Sequence, residues 1–269
     1  MSKDKEIVYI EEYKEEVSIY DSIKRVILTG LLPFEYLEDI VIAPDILGPF
    51  ICILLLSLTN FFYIYMFSYN AVIGYAKNKG FAFPAINISD NTILVYPSNI
   101  TISSEVLFLK DKNVFLTRIY SDTIMLSLAI WLATFIGMYL SSKVLGGETK
   151  SFTYISGYVL SSKIYEYLTR AIITYILLRS YSIKIIVPYG SNVKMIVSYI
   201  VAGINKIGEI MLLLKGHQVF FIIWNTIVII AALNVGGRLS MKRAVIGGII
   251  AYIIAGGLYL LFSRFYNML

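Results

Sequence analysis

Three charged residues fall inside a long apolar segment and are the strongest candidates for chemistry in this sequence. Lys163, Glu166 and Arg170 lie within residues 152–178, and their spacing places all three on one face of a helix. A charge inside a bilayer is costly unless it faces the protein interior and pairs. This face therefore has two interpretations: a polar site for an anion, a lipid headgroup or a translocated solute, or a self-neutralised structural cluster.

Other residue types that bind metals or act as nucleophiles are scarce. The chain has 1 Cys and 1 His, so Cys52 and His217 cannot supply a zinc site or a disulfide framework. We expect Cys52 to be a small buried residue and His217 to lie at the edge of a membrane span. The sequence has no Walker-type phosphate loop, HExxH or Gly-x-Ser-x-Gly motif. It therefore predicts no enzymatic activity, no metal and no cofactor.

The composition excludes a water-soluble globule. Hydrophobic residues make up 58% of the 269 residues and charged residues 15%, and the mean hydropathy is +0.73. Ordinary globular domains have about 45–50% apolar and about 25% charged residues. We therefore predict a membrane protein whose main partner is the lipid bilayer. Its net charge of +5 is typical of basic residues near anionic headgroups and does not indicate a nucleic-acid partner.

Uncharged stretches of about 20 residues, the length that crosses a bilayer as a helix, predict four spans. They occupy residues 46–67, 123–142, 218–237 and 244–263. Residues 152–178 are predicted to form a fifth span with its charges turned inward. Residues 191–214 are amphipathic at the helical period and fit either an interfacial or re-entrant helix or a sixth span.

In the division of the chain, residues 46–69 contain the first span, and the segments on either side of them have patterns of their own. Residues 1–45 form an N-terminal arm, which is predicted to contain an amphipathic helix lying on the membrane. Residues 70–120 alternate strand formers with polar residues and predict an exterior β-hairpin or meander. In this loop Asn87 and Asn99 each begin an Asn-x-Ser/Thr pattern, the acceptor sequence for N-glycosylation.

The basic residues of the short connections predict the orientation. Lysine and arginine are concentrated in residues 143–150 and 238–243, which predicts a cytoplasmic N-terminus and an exterior loop 70–120. The predicted fold class is an all-α polytopic membrane protein. Residues 121–269 complete a five-helix transmembrane bundle, with amphipathic surface helices and a small exterior β insertion.

Small residues recur every four positions in the last span. Gly247, Ala251 and Ala255 would let a neighbouring helix approach closely. The stripe favours packing within the bundle, and the alternative is a dimer face. The predicted protein partners are accordingly other membrane proteins or a second copy of this chain.

Several short motifs resemble, in their order along the chain, the Yip family of membrane proteins that interact with Ypt/Rab GTPases. Asp45-Ile-Leu-Gly48-Pro49, at the head of the first span, is similar to the family's Asp-Leu-x-Gly-Pro. Gly146-Gly147 and, further on, Gly157-Tyr158 are similar to its Gly-Gly…Phe…Gly-Tyr pattern. The resemblance covers roughly residues 18–69 and 121–265. It implies a helical membrane scaffold or adaptor in membrane organisation or trafficking, and a small GTPase as partner by family analogy.

The motif residues also have a physical interpretation. Asp45 is placed to cap the first span, and Gly146-Gly147 to end the second in a left-handed conformation. The sequence thus favours a non-catalytic scaffold. The alternative is a transporter or permease subunit that uses the polar face around Lys163, Glu166 and Arg170.

Overall fold

The structure is a computed structural model that describes residues 17–76, 83–89, 92–99, 106–108, 113–179, 181–188, 193–210 and 212–268. Its helices are α1 (Ile19–Thr29), α2 (Pro33–Ile42), α3 (Leu47–Asn70), α4 (Asn113–Val144), α5 (Phe152–Val159), α6 (Ser161–Leu178), α7 (Val193–Ile210), α8 (Leu212–Val235) and α9 (Met241–Met268). Its strands are β1 (Ala71–Ala76), β2 (Pro84–Ser89), β3 (Thr92–Pro97), β4 (Val106–Phe108) and β5 (Ser182–Pro188). The described part of the chain is mostly helical, with a small sheet.

Among the described residues, 4 helices are long and apolar enough to cross a membrane. They contain the segments Leu47–Met66, Tyr120–Val144, Leu212–Val235 and Met241–Phe262. These segments overlap the four uncharged stretches, and the third begins six residues before the predicted span. The four predicted spans are therefore confirmed as helices. Large apolar side chains such as Phe50, Ile223 and Ile253 are exposed on them, as expected of a surface that lipid solvates. The chain is a multi-pass membrane protein.

Residues 152–178 form two helices instead of one uninterrupted span. Leu160 separates α5 from α6, and its N–H donates to the carbonyl of Gly157 at 3.0 Å. α6 packs mainly against α3 and also against α8. Its charged residues make α6 less apolar than the four helices above, so composition alone does not mark it as a span.

The β region is larger than the predicted hairpin or meander. A five-stranded sheet has the order β2-β3-β5-β1-β4, and β5 comes from residues 182–188, far outside the 70–120 loop. β5 pairs in parallel with β1 and β3, while β2 and β4 are antiparallel edge strands. Ile183, Ile185 and Val187 of β5 are buried, as expected of a central strand with parallel neighbours. The predicted all-α class is therefore incomplete, because the described residues also form a sheet with both parallel and antiparallel pairs.

α7 covers one face of this sheet. Ile196, Tyr199 and Ile200 share a buried core with sheet residues such as Ile73 and Ile93. Ser198 and Asn205, from the polar stripe of the predicted helix, are exposed. The apolar face of α7 therefore packs on the sheet. This is the helix for which the sequence predicts either an interfacial or re-entrant position or a sixth span. The third span begins at Leu212, directly after it.

α1 and α2 form a helical pair that packs on α3, α5 and α8. The Ser18 hydroxyl accepts a hydrogen bond from the Asp21 N–H at 3.1 Å and caps α1. Pro33 opens α2, at a position where no amide donor is missed. Ile19 and Tyr20 of α1 are exposed whereas Val26 is buried, which fits the predicted amphipathic helix. Residues 1–16 of the predicted arm lie outside the described residues.

Candidate functional site

The Asp45 carboxylate joins three helices at the start of the first span. Its Oδ1 accepts the Gly48 N–H at 2.7 Å, so Asp45 caps α3. Its Oδ2 accepts the Tyr158 hydroxyl of α5 at 2.5 Å and lies 3.3 Å from the Arg25 guanidinium of α1. The Asp45 side chain is 7% exposed, so these charge-assisted bonds are sheltered from water. We call these four residues the Asp45 clamp.

Two glycines allow the helices of the Asp45 clamp to cross closely. A Cβ on Gly48 would overlap the hydroxyl and ring of Tyr158, and a Cβ on Gly157 would overlap Pro49. Tyr158 itself is fully buried. The structure thus brings together Asp45, Gly48 and Pro49 with Gly157 and Tyr158, which the sequence places more than one hundred residues apart.

The second glycine pair shapes the connection between α4 and α5. Gly146 has φ +78 and ends α4 in the left-handed region. A Cβ on Gly147 would lie 2.5 Å from the Ser142 hydroxyl and 2.7 Å from the Gly237 carbonyl. The Glu148 N–H also donates to the Gly237 carbonyl, at 2.9 Å. These contacts fix the connection against the end of α8.

On α6, Lys163 and Glu166 form an ion pair that reaches a third helix. The Lys163 ammonium lies 2.8 Å from Glu166 Oε2, and the Asn225 Nδ2 of α8 donates to the same oxygen at 2.9 Å. Arg170 is not in this group, because its guanidinium stacks 5.0 Å from the ring centroid of Tyr63 on α3. We call Lys163, Glu166 and Asn225 the α6 polar cluster.

Further polar contacts of α6 and α8 involve residues that sequence reasoning did not pair. His217 Nε2 forms a hydrogen bond with the Thr169 hydroxyl at 2.7 Å, and the Trp224 indole donates to the Gly30 carbonyl at 2.8 Å. The only sequence signal for these contacts is that Trp224 and Asn225 are polar groups inside an uncharged span. Such groups require partners in lipid.

A cavity of ≈ 190 Å³ lies beside the α6 polar cluster. Its walls come from α4, α5, α6, α8 and α9. Lys163 and Asn225 line it together with Tyr167, Tyr252 and Tyr259. Three of the wall residues, Thr134, Asn225 and Ala255, lie in the central part of three different candidate spans. The cavity is therefore about halfway along the bundle.

The small-residue stripe of α9 faces its neighbours inside the bundle. A Cβ on Gly247 would lie 2.8 Å from the side chain of Leu145, which directly follows α4, and Ala251 is buried. Ala251 and Ala255 both lie against Gly137 of α4, where an added Cβ would be 2.5 Å from the Ala251 carbonyl. These contacts are those expected if the small residues serve packing within the bundle. α4 and α9 form the most extensive helix contact among the described elements.

The remaining predicted sites are at the surface or isolated. Asn87 and Asn99 are exposed in the sheet region, although Thr101 of the second glycosylation pattern lies outside the described residues. Cys52 is buried with a free thiol. Within the described ranges, no group of three or more His, Cys, Asp or Glu side chains is arranged to hold a metal ion.

Comparison with protein-family models, with curated proteins and with solved structures finds no match for this chain. The class that the fold defines is a multi-pass membrane protein with an attached mixed sheet.

Proposed function

We propose that this chain is a non-catalytic membrane scaffold or adaptor of the Yip-like type. The observation that carries the proposal is the Asp45 clamp, in which the residues that resemble the family motif serve to hold α1 against α3 and α5. A buried aspartate could act as a base, but here both its oxygens are engaged by donors from these helices. The N-terminal pair α1–α2 becomes a fixed platform on the bundle.

A fifth membrane crossing by α5 and α6 supports this arrangement. α5 starts beside the end of α8, where the Ser151 hydroxyl donates to the Gly236 carbonyl at 2.6 Å. α6 ends at Leu178, and β5 of the sheet begins at Ser182, a few residues later. A segment that starts beside the end of α8 and leads into the sheet has the course expected of a membrane crossing. A fifth crossing would leave α1–α2 and the sheet on opposite sides of the membrane, and the positive-inside rule favours a cytoplasmic N-terminus and an exterior 70–120 loop.

The platform would recruit a partner from the cytoplasmic side. α1 offers exposed apolar side chains at Ile19 and Tyr20, and Lys24 is on the same helix. A small GTPase is the partner by family analogy, and another membrane protein or a second copy of the chain would use the same platform.

Site-directed photocrosslinking in the native membrane tests the proposal. A photoreactive amino acid replaces Tyr20, which is 75% exposed, and the matched control replaces Ile253 of α9, which is 66% exposed. We expect a discrete protein adduct from position 20, weakened by Asp45→Ala, and lipid adducts from position 253. A position 20 that yields only lipid adducts in the native membrane would overturn the adaptor proposal.

The second candidate function is a transporter or permease subunit. The observation that favours it is the cavity beside Lys163, halfway along the bundle. Reconstituted vesicles would then show solute flux that Lys163→Gln reduces. Flux that is unchanged by this variant, or absent with every anion tested, would reject the second candidate.

A further inference from the structure

The cavity beside the α6 polar cluster is too large to be explained by an isolated water. One water needs about 10–15 Å³ of such space, whereas the cavity has ≈ 190 Å³. Apolar side chains such as Ile130, Leu160 and Ile229 form much of its wall. An apolar wall with a few convergent polar groups is typical of a small-molecule site.

Lys163 is the one charged residue among those that line the cavity. Arg170 is engaged elsewhere, with its guanidinium 5.0 Å from the ring centroid of Tyr63 on α3. Glu166 accepts one donor of the Lys163 ammonium, and that ammonium has three. Because donors without acceptors are costly where lipid excludes water, an anionic group in the cavity that accepts from this ammonium would be favourable.

Other residues around the cavity supply further hydrogen-bonding groups for such a ligand. Tyr167, Tyr252 and Tyr259 are among the residues that line it, and a phenolic hydroxyl can donate to the oxygens of an anion. Asn225 is 4% exposed. Its Nδ2 is used by Glu166, and its Oδ1 has no hydrogen-bond partner among the described residues. A ligand hydroxyl would satisfy this acceptor, whose burial without a partner costs free energy.

We propose that the cavity binds an amphiphile whose headgroup is a phosphate monoester with an adjacent hydroxyl. The phosphate accepts from Lys163 and the tyrosines, the hydroxyl serves Asn225, and the chain lies along the apolar wall. A carboxylate has the negative charge for Lys163 but no hydrogen-bond donor for Asn225. A protonated carboxylic acid has the donor but no charge. The inference is independent of the scaffold proposal, because a resident ligand is compatible with either candidate function.

Two adjacent glycines of α9 provide a matched pair of variants. Gly256 lines the cavity, whereas Gly257 is not part of its lining. A Cβ at either position meets nothing within 4 Å, so Gly256→Leu and Gly257→Leu should both fold. Only Gly256→Leu fills the cavity. The double variant Lys163→Gln with Glu166→Gln removes the charges while keeping hydrogen-bonding groups at both positions.

The experiment measures ligand binding by native mass spectrometry of the full chain released from an uncharged detergent. The probe is oleoyl lysophosphatidic acid, and monoolein has the same chain without the phosphate. We expect a single saturable adduct with wild type and with Gly257→Leu. Binding should weaken at least about tenfold, or about 1.4 kcal/mol, with Gly256→Leu, with the charge-free double variant and with monoolein.

Competition distinguishes the source of the phosphate. We expect no displacement by glycerol 3-phosphate at a similar concentration, because it lacks the apolar chain. Displacement would assign a water-soluble phosphate ester and overturn the amphiphile. Equal binding of monoolein, or equal binding by Gly256→Leu and Gly257→Leu, would overturn the proposal. Oleate that binds as tightly as the phosphate ester would overturn the assigned headgroup.

Discussion

Substitution of Gly48 tests whether the Asp45 clamp holds the N-terminal pair as the structure describes. In Gly48→Ala the new methyl would overlap the hydroxyl and ring of Tyr158, so this buried ring must move and release Asp45. Overpacking a core costs about 1–3 kcal/mol, and a hydrogen bond to a charged group contributes about 1.5–3 kcal/mol. Alanine regains about 1 kcal/mol of helix propensity over glycine. We expect a net loss of roughly 1.5–5 kcal/mol.

The assay is the free energy of unfolding in mixed micelles with an ionic denaturing detergent. Gly257→Ala is the matched control, because an added Cβ there meets nothing within 4 Å, and it should be neutral or stabilising. A double-mutant cycle isolates the steric cause. Tyr158→Ala removes the ring and by itself should cost about 3–5 kcal/mol, but Gly48→Ala should then add almost nothing. Equal costs of Gly48→Ala with and without the Tyr158 ring would refute the reasoning.

Three further predictions concern the α6 polar cluster, the α4 terminus and the sheet. Glu166→Leu should lower the melting temperature in detergent by leaving Lys163 without its anion, and an unchanged temperature would contradict the pairing. Gly146→Ala should lower the free energy of unfolding by about 1 kcal/mol or more, because the backbone has a positive φ at this position. Gly146→Asn should lower it less, and equal unfolding free energies of the two variants would contradict the left-handed conformation. A cysteine at Ser98, in a background without the native cysteine, should react with an impermeant thiol reagent from outside intact cells, and protection there would reverse the orientation.

Local patterns in the sequence were sufficient for the four apolar spans and for several contacts near in sequence. An uncharged stretch of about 20 residues is recognisable because the bilayer imposes its length. The spacing of Lys163 and Glu166 likewise predicts a contact on one helix face, and Asp45 precedes its helix where a cap is needed. In each case the interacting groups are within a few residues of one another.

Contacts between distant segments could not be derived from the same patterns. β5 is a short apolar run, and such a run does not reveal its parallel partners β1 and β3. Asn225 meets Glu166 across 59 residues of chain, and the cavity needs walls from separate helices. These features depend on how the helices pack, and helical periodicity alone does not specify which helices are neighbours.

The central claim is that the Asp45 clamp makes α1–α2 a fixed part of the membrane bundle. Pulsed electron paramagnetic resonance tests it with spin labels at Tyr20 of α1 and Val144 of α4, which are both exposed, in lipid nanodiscs. We expect one narrow distance distribution for the wild-type clamp and a broad one after Asp45→Ala. A broad distribution with the clamp intact would contradict the claim.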